Sequence, residues 1–180
     1  MGTLYDNGRR ARSPGGLRGA GLSGREFLVV WAGRHRRANW EELCTDYRQR
    51  IARYVPIRDL PVKARAKNDD RERRRAETTA LFDALPDPCR AVVLDPRGRT
   101  MSSEDLAARL GRLRDEWPHP VAFLVGSDLG LDDSLLQKAY LRLSFSPMIF
   151  GHELARLVLY EQLYRALCIE RGIKYHRQTF

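Results

Sequence analysis

Three stretches in the second half of the chain place chemically capable residues where a backbone would present them to a ligand. In Leu124-Val125-Gly126-Ser127-Asp128-Leu129-Gly130, an apolar strand-like segment runs straight into a loop bounded by two glycines. Ligands of open α/β sheets sit at the carboxyl ends of strands, and glycine lets the backbone approach them closely. A plain turn has the same composition. In Ser144 to His152 (SFSPMIFGH), a strand-like run ends at Gly151 just before a helical pattern, which makes backbone amides available to a polar ligand or an anion. The third stretch is Tyr175-His176-Arg177. A ring to stack, an imidazole to move a proton and a guanidinium to hold a phosphate suit an RNA target, although a terminus without a role reads the same way.

What must position these stretches is an alternation of strands and helices. Glu26 to Ala32 (EFLVVWA) is a compact, β-branched apolar run ending at Gly33, the pattern of a buried strand. Asn39 opens a helix, with Glu42 as capping-box partner and Trp40, Leu43, Tyr47, Ile51 and Tyr54 at three- and four-residue steps. Pro56 stops it, Ile57 to Val62 reads as a short strand, and Asn68 or Asp70 opens a second helix running to about Leu85. Ala91 to Asp95 is a strand, followed by a turn at Pro96-Arg97-Gly98-Arg99. Ser102 or Ser103 caps a third helix from Glu104 to about Glu116, with Leu106, Leu110 and Leu113 along one side. The pattern continues with a strand at Val121 to Val125, a helix near Ser134 to Leu143, a strand at Ser144 to Phe150 and a final helix from His152 to about Arg171. Such alternation predicts an α/β layer with a largely parallel sheet. The final helix is apolar on more than one side, through Leu154, Leu157, Val158, Leu159, Leu163, Leu167 and Ile169. It must be covered nearly all round, either by a second copy across a dimer interface or by its own chain.

With 180 residues, the chain is long enough for one domain with a real core and too short for two full-sized ones. Lys and Arg number 32 against 23 Asp and Glu, a net charge of +9, which points to a polyanionic partner without separating RNA, DNA and anionic membrane. Part of that excess is concentrated at Arg65, Lys67, Arg71, Arg73, Arg74 and Arg75, either a phosphate-contacting patch or a solvated helix start. Cys44, Cys89 and Cys168 are odd in number and widely spaced, which predicts free thiols in a reducing, cytoplasmic setting. The four histidines show no ligand spacing, so no metal is expected. No apolar run approaches the roughly 20 residues of a membrane helix. Residues 1–24 set Arg9, Arg10, Arg12 and Arg18 among Gly, Ser and Pro, which predicts a disordered basic extension ahead of a domain spanning 25–180.

Taken together, the glycine-bounded loop after one late strand, the Ser-rich loop before the last helix, the helix segment Glu161-Gln162-Leu163-Tyr164-Arg165-Ala166 and the closing Tyr175-His176-Arg177 resemble the RlmH family of SPOUT methyltransferases. Those enzymes methylate N3 of a pseudouridine in 23S ribosomal RNA. The resemblance covers about Phe27 to Arg177 and is densest from Leu124 onward. It implies a homodimeric α/β domain with a C-terminal trefoil knot, an exception to the near-absence of knots, acting in the cytoplasm on 23S rRNA or the ribosome. It also implies S-adenosylmethionine as cofactor, held by Leu94, by Gly126 and Ser127, and by Ser146, Pro147, Met148, Ile149, Phe150 and Gly151.

His176 or Glu161 would then take the imide proton, with Tyr164 and Tyr175 stacking or positioning. Arg156, Arg165 and Arg177 would hold phosphate or the cofactor carboxylate, while His152 reads as a helix-start residue. Two stretches depart from the family pattern: Gly-Gly-Pro-Glu-Gly is replaced by Gly126-Ser127-Asp128-Leu129-Gly130, and Leu-Pro-His by Phe150-Gly151-His152. Ser127 would resist a positive φ. The alternatives are a basic ribosome-binding paralogue without activity and a SPOUT enzyme acting on another RNA.

Overall fold

The computed structural model describes residues 25–33, 38–64 and 69–177, the side chains of 176 and 177 excepted. The expected basic extension at 1–24, together with Arg65 and Lys67 of the basic run, lies outside the described residues.

Five strands form one sheet in the order β2-β1-β4-β3-β5, every neighbouring pair parallel. They are β1 (Phe27–Ala32), β2 (Ile57–Val62), β3 (Arg90–Thr100), β4 (Val121–Val125) and β5 (Leu141–Ser144). Helices α1 (Ala38–Ala52), α2 (Asp70–Asp83), α3 (Ser103–Glu116), the short α4 (Asp133–Leu136) and α5 (His152–Glu170) connect or follow them, and a single 3-10 turn at Lys174–Arg177 closes the described chain. β1 and β4 are buried along their whole length, as continuous apolar runs between two covered faces should be.

Alternation along β1 divides the core in two. Phe27, Val29 and Trp31 face the helices α1, α3 and α5, packing with Ile51, Leu110, Leu159 and Leu163. Leu28, Val30 and Ala32 face α2 and α4, packing with Leu81 and Leu136.

The helix starts follow their capping residues. Asp69 accepts the Glu72 amide at 2.8 Å and opens α2, and Ser102 accepts the Asp105 amide at 3.0 Å and opens α3. α5 ends on Gly172 at φ +66, with the Ile173 amide returning to the Cys168 carbonyl at 2.9 Å, a left-handed C-terminal stop. Leu159, Leu163 and Leu167 of α5 are fully buried within this one chain, so the chain itself covers the helix's apolar centre. Leu154 remains more than one-third exposed.

Asn39, expected to open the first helix, lies inside α1, and Asp69 rather than Asn68 or Asp70 caps α2; three later boundaries also differ from expectation. The turn at Pro96 to Arg99 is an excursion inside a longer β3, for Leu94 and Arg99 both pair with Leu143 and the strand resumes after the shift. A turn-like composition cannot announce that the strand picks up again beyond it. The helix expected to run to Leu143 stops at Leu136, and the next strand is Leu141–Ser144 rather than Ser144–Phe150. Tyr140 donates to the Ala91 carbonyl at 2.9 Å and Leu141 pairs with Val92, so ladder pairing with β3 wins over the local helical pattern. Beyond Ser144 the ladder ends, because the Ser144 hydroxyl bonds the carbonyls of Pro96 and Ser146 at 3.1 and 3.0 Å, and Pro147 has no N–H to offer.

Candidate functional site

The loops leaving β3, β4 and β5 meet at the carboxyl end of the sheet around a cavity of about 260 Å³. Of the residues expected to hold a cofactor, Leu94, Gly126, Ser127, Ser146, Met148, Ile149 and Phe150 line it. Pro147 and Gly151 belong to the same loop but are not among the lining residues. Asp95 and Pro96, which the sequence did not single out, also line the wall, as do Phe145 and His152 of the Ser144 to His152 stretch, which were not among the expected cofactor contacts. Phe145 lay inside the segment already singled out, whereas Pro96 was hidden by the turn reading of its surroundings.

The β4 loop keeps its expected tightness by other means than a glycine run. Gly130 takes the left-handed conformation at φ +70, no residue other than glycine has a positive φ among the described residues, and Ser127 forms an antiparallel bridge with Gly130. Ser127 therefore carries none of the backbone strain its side chain would oppose. At Gly126 a Cβ would lie 3.0 Å from both the Gly130 carbonyl oxygen and Leu131, so this position needs a glycine for space. In the β5 loop the Ser146 hydroxyl accepts the Met148 amide at 2.9 Å, turning Met148 and Ile149 outward at 72 % and 89 % exposure.

Two features give the wall its polarity. His152, the first residue of α5, packs against Gly33, where a Cβ would come within 3.1 Å of the imidazole Nε2 and φ is +130. That Nε2 is buried without a hydrogen-bond partner, an expensive state unless a ligand or water supplies one. Asp95 is held by Arg142 at 2.6 Å and by the Arg97 backbone amide at 2.9 Å. Arg97 reaches on to Asp133, tying the β3 excursion to the start of α4. Burial alone would raise the Asp95 carboxyl, but the Arg97 amide and the Arg142 and Arg97 guanidiniums outweigh it and hold the group below the usual carboxylate range.

The expected catalytic group lies elsewhere on α5. Glu161 accepts from Arg165 at 2.6 and 2.9 Å, from Gln162 at 2.6 Å and from the Tyr175 hydroxyl at 3.3 Å. Tyr164 packs edge-on to Tyr175 at 4.9 Å, and burial pushes both phenols above their ordinary value. The side chains of His176 and Arg177 lie outside the described residues. Glu161 is six residues beyond the cavity-lining Ala155, about 9 Å along the helix axis. Its neighbour Gln162 lines a second hollow of about 280 Å³, which shares Leu143, Phe145 and Phe150 with the first.

Arg156, expected to hold phosphate or the cofactor carboxylate, is instead 2 % exposed. Its guanidinium donates to Asp59 at 3.0 Å and to Glu41 at 3.0 Å and lies 4.4 Å over the Trp31 ring. Tyr160 and Trp31 also donate to Asp59, at 2.5 and 3.0 Å. This is a satisfied interior network, assembled from α1, β1, β2 and α5. Burial pushes the Cys44 and Cys89 thiols up to about 11, so neither is a nucleophile near neutral pH. Among the described residues, no group of His, Cys, Asp and Glu is arranged to hold a metal ion, and no helix is long and apolar enough to cross a membrane.

A family profile described as "Predicted SPOUT methyltransferase" matches residues 26–176. A protein of Nitratidesulfovibrio vulgaris named "Ribosomal RNA large subunit methyltransferase H" is 38% identical over 153 residues, covering 84% of this chain and 98% of the relative. A protein of the same name from Desulfovibrio desulfuricans is 38% identical over 160 residues, covering 86% and 99%. A third, from Desulfotalea psychrophila, is 38% identical over 132 residues, covering 73% and 86%.

Proposed function

The chain belongs to the SPOUT methyltransferase family, and on that premise we propose that it transfers a methyl group from S-adenosylmethionine to N3 of a pseudouridine in 23S ribosomal RNA. The assembled ribosome is the proposed substrate, in a cytoplasmic setting that suits three free thiols. The observation that carries this reading is the meeting of three loops, from strands adjacent in the sheet, around one cavity.

The residues present fit the cofactor. Leu94, Leu143, Phe145, Ile149 and Phe150 offer an apolar surface to an adenosyl group, and the β4 loop brings backbone close through Gly126 and Gly130. His152 adds an imidazole to the wall, its buried Nε2 lying against Gly33. The sulfonium of S-adenosylmethionine supplies an already activated methyl group, which leaves the protein mainly to bind and align. Pro147 and Gly151 complete the β5 loop as supporting backbone.

For the nucleobase, proton removal from N3 falls to His176 or Glu161, with Tyr164 stacking and Arg177 on phosphate. Glu161 acts as a base only after giving up Arg165, so its role depends on the conformation of the closing segment. We further propose a homodimer, supported by exposed Met148, Ile149 and Leu154 beside the cavity. A trefoil knot is proposed on family membership. The basic residues 1–24 are taken as an extension to the catalytic domain.

The test is incubation with labelled S-adenosylmethionine and, separately, assembled ribosomes, free 23S RNA and bulk tRNA, followed by nucleoside mass spectrometry. The expected product is N3-methylated pseudouridine from ribosomes. Label on tRNA alone would overturn the substrate assignment. Absence of calorimetric heat at millimolar cofactor would favour a ribosome-binding paralogue.

A further inference from the structure

The β4 loop is gripped from one side. Arg73 and Glu77 lie on one face of α2, at the four-residue spacing that aligns helical side chains, and Thr78 follows Glu77 directly; each of the three meets the segment from Ser127 to Asp132. Arg73 donates to both carboxylate oxygens of Asp128, at 3.1 and 3.2 Å. Glu77 accepts the Ser127 hydroxyl at 2.5 Å. The Thr78 hydroxyl accepts the buried Asp132 amide at 2.9 Å and donates to the Arg74 carbonyl at 2.8 Å. Arg73 also lies 3.7 Å from Glu77, so the two grips brace each other.

Within the loop, the Ser127 oxygen accepts the Leu129 amide at 3.3 Å. Glu77 thus acts through Ser127 on the backbone that follows. On the far side Gly126 is already in close contact with Gly130 and Leu131, which leaves the loop little room to slide. Ser127 and Asp128 are two of the positions where a family glycine loop is replaced by residues with functional side chains. Both of those side chains are taken up by α2.

We infer that Glu77 and Arg73 are positioning residues, a clamp by which α2 fixes the cofactor-facing conformation of residues 126–131. The clamp substitutes side-chain bonds for the backbone economy of a glycine run. Neither residue touches the cofactor in this scheme; each sets the loop that does. The inference rests on the reading of that loop as a cofactor loop, and its test separates the two.

Amide hydrogen exchange of residues 126–131 in the ligand-free protein and calorimetric titration with S-adenosylmethionine are measured on the full chain. Glu77→Ala is expected to raise exchange and the cofactor Kd by about tenfold each, in line with loss of a hydrogen bond to a charged group. The melting temperature and the kcat at saturating cofactor should change little. Glu77→Gln, which still presents an acceptor oxygen to Ser127, should restore most of both. In a Ser127→Gly background, Glu77→Ala should add little, since the hydroxyl it served is gone. Exchange and Kd within twofold of the parent in Glu77→Ala, or an equal loss in the Ser127→Gly background, would overturn the clamp. Should the parent chain take up no S-adenosylmethionine while Glu77→Ala still loosens the loop, the clamp stands and the functional reading fails.

Discussion

At the carboxyl ends of β3, β4 and β5 the chain leaves an open, mostly apolar hollow, and in its wall the His152 ring nitrogen is buried against Gly33 without a partner. Along α5 the polar groups answer one another instead: Arg156 with Asp59 and Glu41, and Glu161 with Arg165, Gln162 and Tyr175. Both regions draw on the same helix, since His152 belongs to the hollow and Arg156 lies one turn further on. A ligand is recognised by what a protein has left unsatisfied, and a buried charge that is fully paired has nothing left to offer one. Residue type alone therefore misassigns Arg156, whose chemistry suits phosphate but whose partners make it part of the interior.

The sharpest way to break this contrast is Asp59→Ala. It leaves the Arg156 guanidinium buried with one partner missing and should cost about 3–5 kcal/mol of folding stability, read as a lower urea midpoint. A cost below about 1 kcal/mol would show that the Asp59 contact contributes little to the interior. Next in size is Glu161→Gln, which keeps the shape of the cluster. With Glu161 held by Arg165, turnover should fall by less than about tenfold, whereas a general base is worth about 10²–10⁴-fold. A fall in that larger range, with a displaced pH–rate profile, would make Glu161 the base.

The smallest effect is the acid dependence of the cavity wall. Asp95 has a folded pKa held below its unfolded value, so its stabilisation is present above the ordinary aspartate range near 4 and is lost as pH falls through the lower folded value. Thermal melts between about pH 5 and 2.5 should show a steeper decline for the parent chain than for Asp95→Asn. Parallel curves would mean that the Arg97 and Arg142 contacts contribute nothing.

How legible the molecule was depends on how local each determinant is. β1 and β4 stand out because they are buried on both faces and read as unbroken apolar runs. The two cavity-lining loops stand out because glycine, serine and proline mark them. The excursion in β3 does not, since its return to the ladder is dictated by Leu143, more than forty residues on. The partner of Arg156 was equally out of reach: Asp59 is a single acidic residue in the short run Ile57–Val62, and only the fold brings it to α5. Arg73 was legible only as part of a basic run and Glu77 was not singled out, because the loop residues they hold are about fifty positions away.

The sheet order has a consequence for synthesis. β1 lies between β2, which follows it closely, and β4, whose Val121 pairs with Phe27. As the chain leaves the ribosome, one edge of its most apolar strand waits for a partner not yet made. Such long-range parallel pairing is slow and leaves the nascent segment prone to wrong contacts. The cavity is completed later still, when Ser146 to His152 emerge and α5 docks. The central strand β4 thus enters between strands already made, and the cavity closes only after it.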